Sequence, residues 1–244
     1  MFEILELGLC NKFFPGSTLH VIIGFFAVFI IGYLLGSLNF SVIISKVFYN
    51  DDIRKHGSGN AGATNMLRTY GKIPAIMTFL GDGLKTVVAV FFGALFLGMH
   101  TSKFVYNDVI YWGFAGTYIG GLASVIGHIF PVYYRFKGGK GVTAVFFMVL
   151  CTSPLVGLIC LIIFIAIVAG TKFISLGSVM SVIIYPLILN KMTGSGLHNL
   201  IAILLMLLIV WLHRANIMRL MNGKENKLSF KKKAKDNNNE KENT

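Results

Sequence analysis

Two runs of glycine interleaved with cations and small polar side chains hold most of the chemistry this sequence can do. The first is Gly57-Ser58-Gly59-Asn60-Ala61-Gly62-Ala63-Thr64-Asn65-Met66-Leu67-Arg68, and the second is Phe136-Lys137-Gly138-Gly139-Lys140-Gly141. Glycines this closely spaced disfavour regular helix and let backbone N–H groups approach an anion. Arginine and lysine alongside make phosphate the natural ligand. In the first run Ser58, Asn60, Thr64 and Asn65 offer side-chain hydrogen bonds, and Arg68 offers a planar two-pronged clamp. A helix starting near Ala63 puts Thr64 and Arg68 on one face, and its N-terminus adds unpaired N–H groups and a favourable dipole. In the second run Gly138, Gly139, Lys140 and Gly141 precede an apolar helix beginning at Val142, an arrangement like a P-loop in principle. The Gly-Lys-Ser/Thr ending of a Walker A motif is absent, which argues against ATP. A connector with incidental charge is the plainer reading of each run. Five polar or basic residues among three glycines weigh against it in the first, whereas a tight basic turn explains the second equally well alone.

Other chemistry-bearing residues are sparse. His213 and Asn216 are i, i+3 neighbours at the end of the last apolar run, with Glu225 shortly after. Asp82 is the only acid inside an apolar run, one helical turn from Lys85. Charges inside a membrane are costly and usually paired or functional, and a structural ion pair is the slightly favoured reading here. His128, just before Pro131, reads as a hydrogen-bonded packing residue rather than a base. Ser175 and Ser178 add small polar groups at the start of a later span. Cys10, Cys151 and Cys160 lack metal-ligand or redox spacing and read as packed thiols. The sequence shows no metal-ligand cluster, so no metal and no cofactor is expected.

The elements that must position these groups are membrane helices. Of the 244 residues 55% are hydrophobic and 13% charged, against about 25% charged in ordinary soluble domains. Apolar runs of 18 or more residues recur. The net charge of +12 clusters in segments between or after apolar runs, the pattern of cytoplasmic loops. Nucleic acid is therefore not the expected partner; anionic headgroups and phosphorylated substrates are. The amino terminus lacks a basic signal region, with Glu3 and Glu6 before any lysine.

Spans are expected at about 20–47, 72–98, 109–133, 173–190 and 197–213, with a polar loop at 48–71 and a connection at 99–107. Residues 142–170 look like one span, but Thr152-Ser153-Pro154 breaks the middle. One span there gives six in all and sets the basic tail opposite the two basic loops, against the positive-inside rule. Splitting at Pro154 gives seven and gathers both loops and the tail in the cytoplasm, with the amino terminus outside. The half 142–153 is then only about 18 Å long against a core of about 30 Å. The expected fold is all-α: a polytopic seven-helix transmembrane bundle with short helices and cytoplasmic active-site loops. One domain over 1–227 is expected, followed by a disordered basic tail at 228–244.

Taken in order, these segments resemble the bacterial acyl-phosphate:glycerol-3-phosphate acyltransferases, integral membrane enzymes that start phospholipid synthesis. The resemblance rests on Gly36-Ser37, Asp52-Ile53-Arg54-Lys55-His56 leading into the glycine run through Arg68, Gly81-Asp82 with Lys85, and Gly127-His128 with Pro131. Phe136 through Gly141, Ser175-Leu176, His213-Arg214, Asn216, Arg219-Leu220, Gly223 and Glu225 complete it. It spans residues 36 to 225. Asn39 and Ala61 stand where proline is common, Thr86 where glycine is usual, and Lys224 where threonine is frequent.

The resemblance implies a seven-helix membrane bundle in the bacterial cytoplasmic membrane. It also implies acyl transfer from acyl phosphate to the 1-hydroxyl of glycerol 3-phosphate, giving lysophosphatidic acid and phosphate. Ser58, Arg68, Lys140, His213 and Asn216 would hold glycerol 3-phosphate. Asn60, Thr64 and the turn at Gly138, Gly139 and Gly141 would face acyl phosphate, with Asn65 and Ser175 as further substrate contacts. Asp82, Lys85, His128 and Glu225 would support them. Membrane lipids and the soluble enzyme that makes acyl phosphate are the further partners. Two competing classes remain: an anion transporter, for which no internal repeat is seen, and a lipid-binding scaffold, which leaves Asn60, Thr64 and Asn65 beside the glycines unexplained.

Overall fold

The structure is a computed structural model that describes residues 8–14, 17–98, 103–106, 109–112, 116–194 and 196–228. The end of the basic tail, 229–244, and the first residues, 1–7, lie outside the described residues, as does much of the connection at 99–107. A short helix α1 (Leu9–Phe13) precedes α2 (Thr18–Ser37) and α3 (Phe40–Tyr49). The expected first span is thus two helices. Asn39 breaks it: its side chain caps α3 by accepting from the Val42 N–H at 3.3 Å, as a short amide does at an N-cap. The 48–71 loop is not wholly irregular either. It contains a single 3-10 turn (Ile53–Lys55) and α4 (Ala63–Thr69), which starts at the residue expected.

The second span follows as α5 (Lys72–Leu97). The third differs from expectation. Val109–Trp112 pairs as strand β2 with β1 (Lys103–Tyr106) in an antiparallel hairpin, Phe104 opposite Tyr111, and helix α6 covers only Gly116–Ile129. A short apolar run rich in aromatic and β-branched residues serves strand and helix alike, so periodicity does not separate them. The hairpin is a small exception to an otherwise all-helical fold.

The Pro154 break holds. Helix α7 (Val142–Thr152) ends before Ser153, and Pro154 occupies the first position of α8 (Pro154–Thr171), where its missing N–H costs nothing. Helices α9 (Ile174–Thr193), α10 (Gly196–Leu212) and α11 (Arg214–Met221) complete the described chain, with α10 and α11 bent by 58° at His213. Among the described residues, four segments are long and apolar enough to cross a membrane: 19–49, α5, α8 and α9. Counting the bent α10–α11 pair as one span makes five. Helices α6 and α7, of 14 and 11 residues, rise only about 21 and 16 Å.

Helix α6 is the hub, lying between α2 and α5. Small residues let the backbones touch, as expected where lipid supplies no hydrophobic drive. A Cβ on Gly120 would stand 2.1 Å from the Ala89 carbonyl oxygen of α5, and one on Gly36 of α2 would stand 2.2 Å from the Ser124 carbonyl oxygen. A second core joins α6, α7, α8, α9 and α10 through Val125, Met148, Val156, Tyr185 and Ile209. A third cluster, Val42, Ile53, Ala61 and Met66, seats the glycine loop on α3. Large apolar side chains such as Phe26, Leu84, Ile162, Leu187 and Leu204 face outward. In a soluble fold they would be a liability; against acyl chains they are a solvated surface.

Candidate active site

The first glycine loop is held by its own polar groups. Asp52 accepts the Arg54 N–H at 3.0 Å and grips the Arg54 guanidinium with both oxygens, at 2.9 and 2.6 Å. Those hydrogen bonds hold the Asp52 carboxyl down at about 2. Arg54 in turn donates to the Tyr134 carbonyl at 3.2 Å and lies over the Tyr134 ring, which ties this loop to the second basic loop. Asn65, almost fully buried, is the internal pin. Its amide nitrogen lies within bonding distance of the Ile53, His56 and Asn60 carbonyls, and its oxygen accepts the Ser58 N–H at 3.0 Å. Gly57 turns the chain here with φ 56°, and a Cβ there would lie 2.3 Å from the Asn65 oxygen. Both donors of the Asn65 amide go into loop shape.

The second loop is folded onto α6. Arg135 and Phe136 both adopt left-handed backbone (φ 54° and 58°), held by the Phe136 N–H on the Pro131 carbonyl at 2.9 Å. The Gly139 N–H donates to the His128 carbonyl at 3.1 Å. A Cβ on Gly139 would stand 2.2 Å from His128 Nε2, and one on Gly138 would stand 2.1 Å from the His128 carbonyl oxygen. Both glycines are required for that approach, and one of the N–H groups expected to cradle phosphate is spent on it. The N–H groups at the start of α7, just beyond Gly141, keep no partner within the helix.

Beneath this turn lies a buried charged cluster. Lys85 Nζ donates to Asp82 Oδ1 at 2.7 Å, to the Leu38 carbonyl at 2.6 Å and to His128 Nδ1 at 3.0 Å. An ammonium has three protons and no acceptor, so His128 accepts at Nδ1 and carries its proton on Nε2. The Phe40 N–H reaches Asp82 Oδ1 at 3.4 Å. The carbonyl released where α2 ends, and an N–H at the start of α3, are thus satisfied by charges from α5. The cluster joins α2, α3, α5 and α6 through a buried ion pair, with His128 hydrogen-bonded to it.

The third component is the elbow between α10 and α11. His213 Nδ1 donates to the Ile209 carbonyl at 2.8 Å, which leaves Nε2 as its other polar atom. Asn216 and Ser175 donate to Glu225 Oε1 at 2.9 and 3.0 Å, and Arg219 Nε donates to Oε2 at 2.7 Å. Lys140 donates to Asn216 Oδ1, and Arg68 donates to the Asn226 carbonyl at 3.4 Å. Arg68, Lys140 and Arg219 therefore converge around one carboxylate. Burial, with Arg219 and Arg68 nearby, lowers Lys140 to about 8 against the opposing pull of Glu225. Burial likewise depresses Arg68, and three donors hold Glu225 ionised against its own desolvation. Three cations around one anion leave a positive, half-buried pocket suited to a dianion.

Of the residues expected from the sequence, Arg68, Lys140, His213, Asn216, Ser175 and Glu225 come together here. Ser58 does not: it is exposed, and its one hydrogen bond is the backbone N–H on Asn65. Arg219 was not among the candidate site residues, although its motif was noted. Its spacing of three from Asn216, with Glu225 six further on, was the available signal. A cavity of about 500 Å³ opens beside the pocket. Its polar end is Asn60, Thr64, Asp82, His128, Lys140 and Thr143. Its walls are apolar: Phe79, Phe146, Val149, Leu161, Phe164 and Val182. Lys140 belongs to both the pocket and the cavity. Among the described residues no group of three or more His, Cys, Asp or Glu is placed to hold a metal ion.

A helical membrane protein with a cationic pocket joined to an apolar cavity is of the class of enzymes that handle phosphorylated, lipid-soluble molecules. Residues 26–223 match the family model described as glycerol-3-phosphate acyltransferase. Glycerol-3-phosphate acyltransferases of Clostridioides difficile and Finegoldia magna are 40% and 43% identical to this chain. They match over 86% and 82% of it and 98% and 93% of their own lengths. Two solved structures of PlsY (YgiH), an integral membrane glycerol 3-phosphate acyltransferase, are similar in fold. The glycerol 3-phosphate form has a TM-score of 0.74 at 33% identity and the lysophosphatidic acid form 0.71 at 32%, each covering 84% of this chain and 96% of its own. The chain belongs to the glycerol-3-phosphate acyltransferase family and is an integral membrane acyltransferase.

Proposed function

We propose that this protein transfers a fatty acyl group from acyl phosphate to the 1-hydroxyl of sn-glycerol 3-phosphate, giving lysophosphatidic acid and inorganic phosphate. The observation that carries this reading is Lys140, whose ammonium stands where the cationic pocket meets the apolar cavity. A phosphate-bearing acceptor and an acyl donor would meet there. Arg68, Lys140, His213 and Asn216 would hold glycerol 3-phosphate, with Ser175, Arg219 and Glu225 fixing their geometry. Ser58, whose hydroxyl is exposed, is the remaining proposed contact on that substrate. Asn60, Thr64, the turn at Gly138 to Gly141 and the start of α7 would face the acyl phosphate head, while its chain lies along the cavity. Asn65 acts by shaping the loop that carries Asn60 and Thr64, and Asp82, Lys85 and His128 act by holding the helices beneath.

In the reaction the acceptor hydroxyl oxygen attacks the acyl carbonyl carbon, the bond from that carbon to the phosphate oxygen breaks, and phosphate departs with the proton. Orienting the two substrates is worth about 7–11 kcal/mol of the barrier. Lys140 and the N–H groups at the start of α7 would stabilise charge on the carbonyl oxygen and on departing phosphate. Phosphate is a good leaving group, and a phosphate oxygen of the substrate serves as base in this scheme. His213 then binds rather than abstracts. No cofactor takes part, and the soluble enzyme that makes acyl phosphate is the expected partner.

The helices α6, α7 and α10 bring the apolar segments to seven. We read these as the seven-helix bundle, with the amino terminus outside and both basic loops and the tail in the cytoplasm. To test the reaction, the purified protein in lipid is given acyl phosphate and glycerol 3-phosphate. Equal amounts of lysophosphatidic acid and phosphate, both lost on Arg68→Ala, support it. Uptake into vesicles without product would favour transport instead.

A further inference from the structure

One wall of the cavity is a single stripe of α9. Ile174, Ser178, Ser181, Val182 and Tyr185 all line it on one helical face, running about 16 Å from the end of α9 where Ser175 meets Glu225. Tyr185 is the last of these along the helix, and only 2% of its surface is exposed. Behind it stands Tyr118 of α6, whose ring stacks on His198 of α10 with centroids 4.2 Å apart. Both tyrosine hydroxyls are buried and lie close to one another, with no other hydrogen-bond partner among the described residues. Three rings from three helices thus meet at this end of the stripe and form its floor. Pro186 follows Tyr185 inside α9 and fixes the backbone at the floor.

We propose that Tyr185, backed by Tyr118 and His198, is the stop that sets the length of acyl chain this enzyme prefers. The inference rests on the cavity holding the donor's acyl chain, as in the proposed function. A chain of matching length ends against the ring. A longer one must displace aromatic side chains from three helices or leave the cavity early. The pocket around Lys140 is untouched by this, so length selection is separate from phosphate binding.

The test is a competition between two acyl phosphates, one of the preferred length and one longer, supplied together with glycerol 3-phosphate to the purified protein in lipid. The product ratio is read by mass spectrometry. One methylene in an apolar pocket is worth about tenfold or more in discrimination. Tyr185→Ala is expected to shift the ratio toward the longer chain by at least that factor, while Tyr185→Phe keeps the wild-type ratio. Ser181→Phe, which narrows the cavity above the floor, is expected to shift preference toward shorter chains. A ratio is independent of how much protein folds. If Tyr185→Ala yields no folded protein, Ser181→Phe decides alone: a shift supports the stop, and an unchanged ratio overturns it. A Tyr185→Ala ratio within about twofold of wild type also overturns it. Should the wild type make no product from any acyl phosphate, the donor assignment fails instead. The same competition run with acyl thioesters then reads the stop.

Discussion

Asp82→Ala is the perturbation whose size follows most directly from the structure. The Asp82 and Lys85 side chains are each 2% exposed and 2.7 Å apart. Removing the carboxylate strands the Lys85 ammonium between the Leu38 carbonyl and His128. Breaking one partner of a buried pair costs about 3–5 kcal/mol, whereas replacing both by apolar groups of similar volume is often neutral. Asp82→Ala and Lys85→Met should therefore each destabilise by about 3–5 kcal/mol, and the two substitutions together by much less than their sum. The assay is reversible unfolding in mixed micelles, followed by circular dichroism, with the coupling taken from the double-mutant cycle. The reasoning expects a coupling near 3 kcal/mol. Additivity within about 0.5 kcal/mol, the behaviour of independent sites, would refute the claim that these charges brace α2, α3, α5 and α6 as a unit.

Lys140, lowered to about 8 by burial and its arginine neighbours, loses its charge as pH rises through that value. KM for glycerol 3-phosphate should therefore climb above pH 8, and Lys140→Arg should flatten the climb because guanidinium stays charged; a wild-type profile without the climb would contradict this. Gly139→Ala places a Cβ 2.2 Å from His128 Nε2, and such overpacking should cost about 1–3 kcal/mol. Gly170→Ala, with open space around it, is the control that thermal unfolding should find neutral or mildly stabilised. For His213→Gln, a raised KM with kcat near wild type is expected, and loss of kcat at saturating substrate would restore a side-chain base.

What the sequence conveyed was chiefly local. Pro154 marks the junction of α7 and α8 because a helix start accommodates proline at no cost in hydrogen bonds, and Ala63 opens α4 because the glycines before it do not continue a helix. Asn39 is legible as a polar interruption of the first span, but its capping bond to Val42, which starts a new helix there, is not. Strand β2 reads from the sequence as the start of a span because Val109–Trp112 is too short to show a period. At the site, the residue types of the cationic pocket were legible from charge and glycine spacing. Their division of labour was not, since it depends on contacts between distant segments. Glu225 gathers Ser175, Asn216 and Arg219, and Asn65 turned out to be saturated by loop carbonyls rather than open to a ligand.

The central claim is that Lys140 stands between an acyl phosphate in the cavity and glycerol 3-phosphate in the cationic pocket. The most direct measurement is a single-turnover comparison of donors on purified protein in lipid, with hexadecanoyl phosphate or the corresponding coenzyme A thioester offered to labelled glycerol 3-phosphate. Labelled lysophosphatidic acid from the acyl phosphate alone, with one phosphate released per product and the yield collapsed by Lys140→Ala, is the expected result. Equal or faster product from the thioester, or turnover untouched by Lys140→Ala, would contradict it.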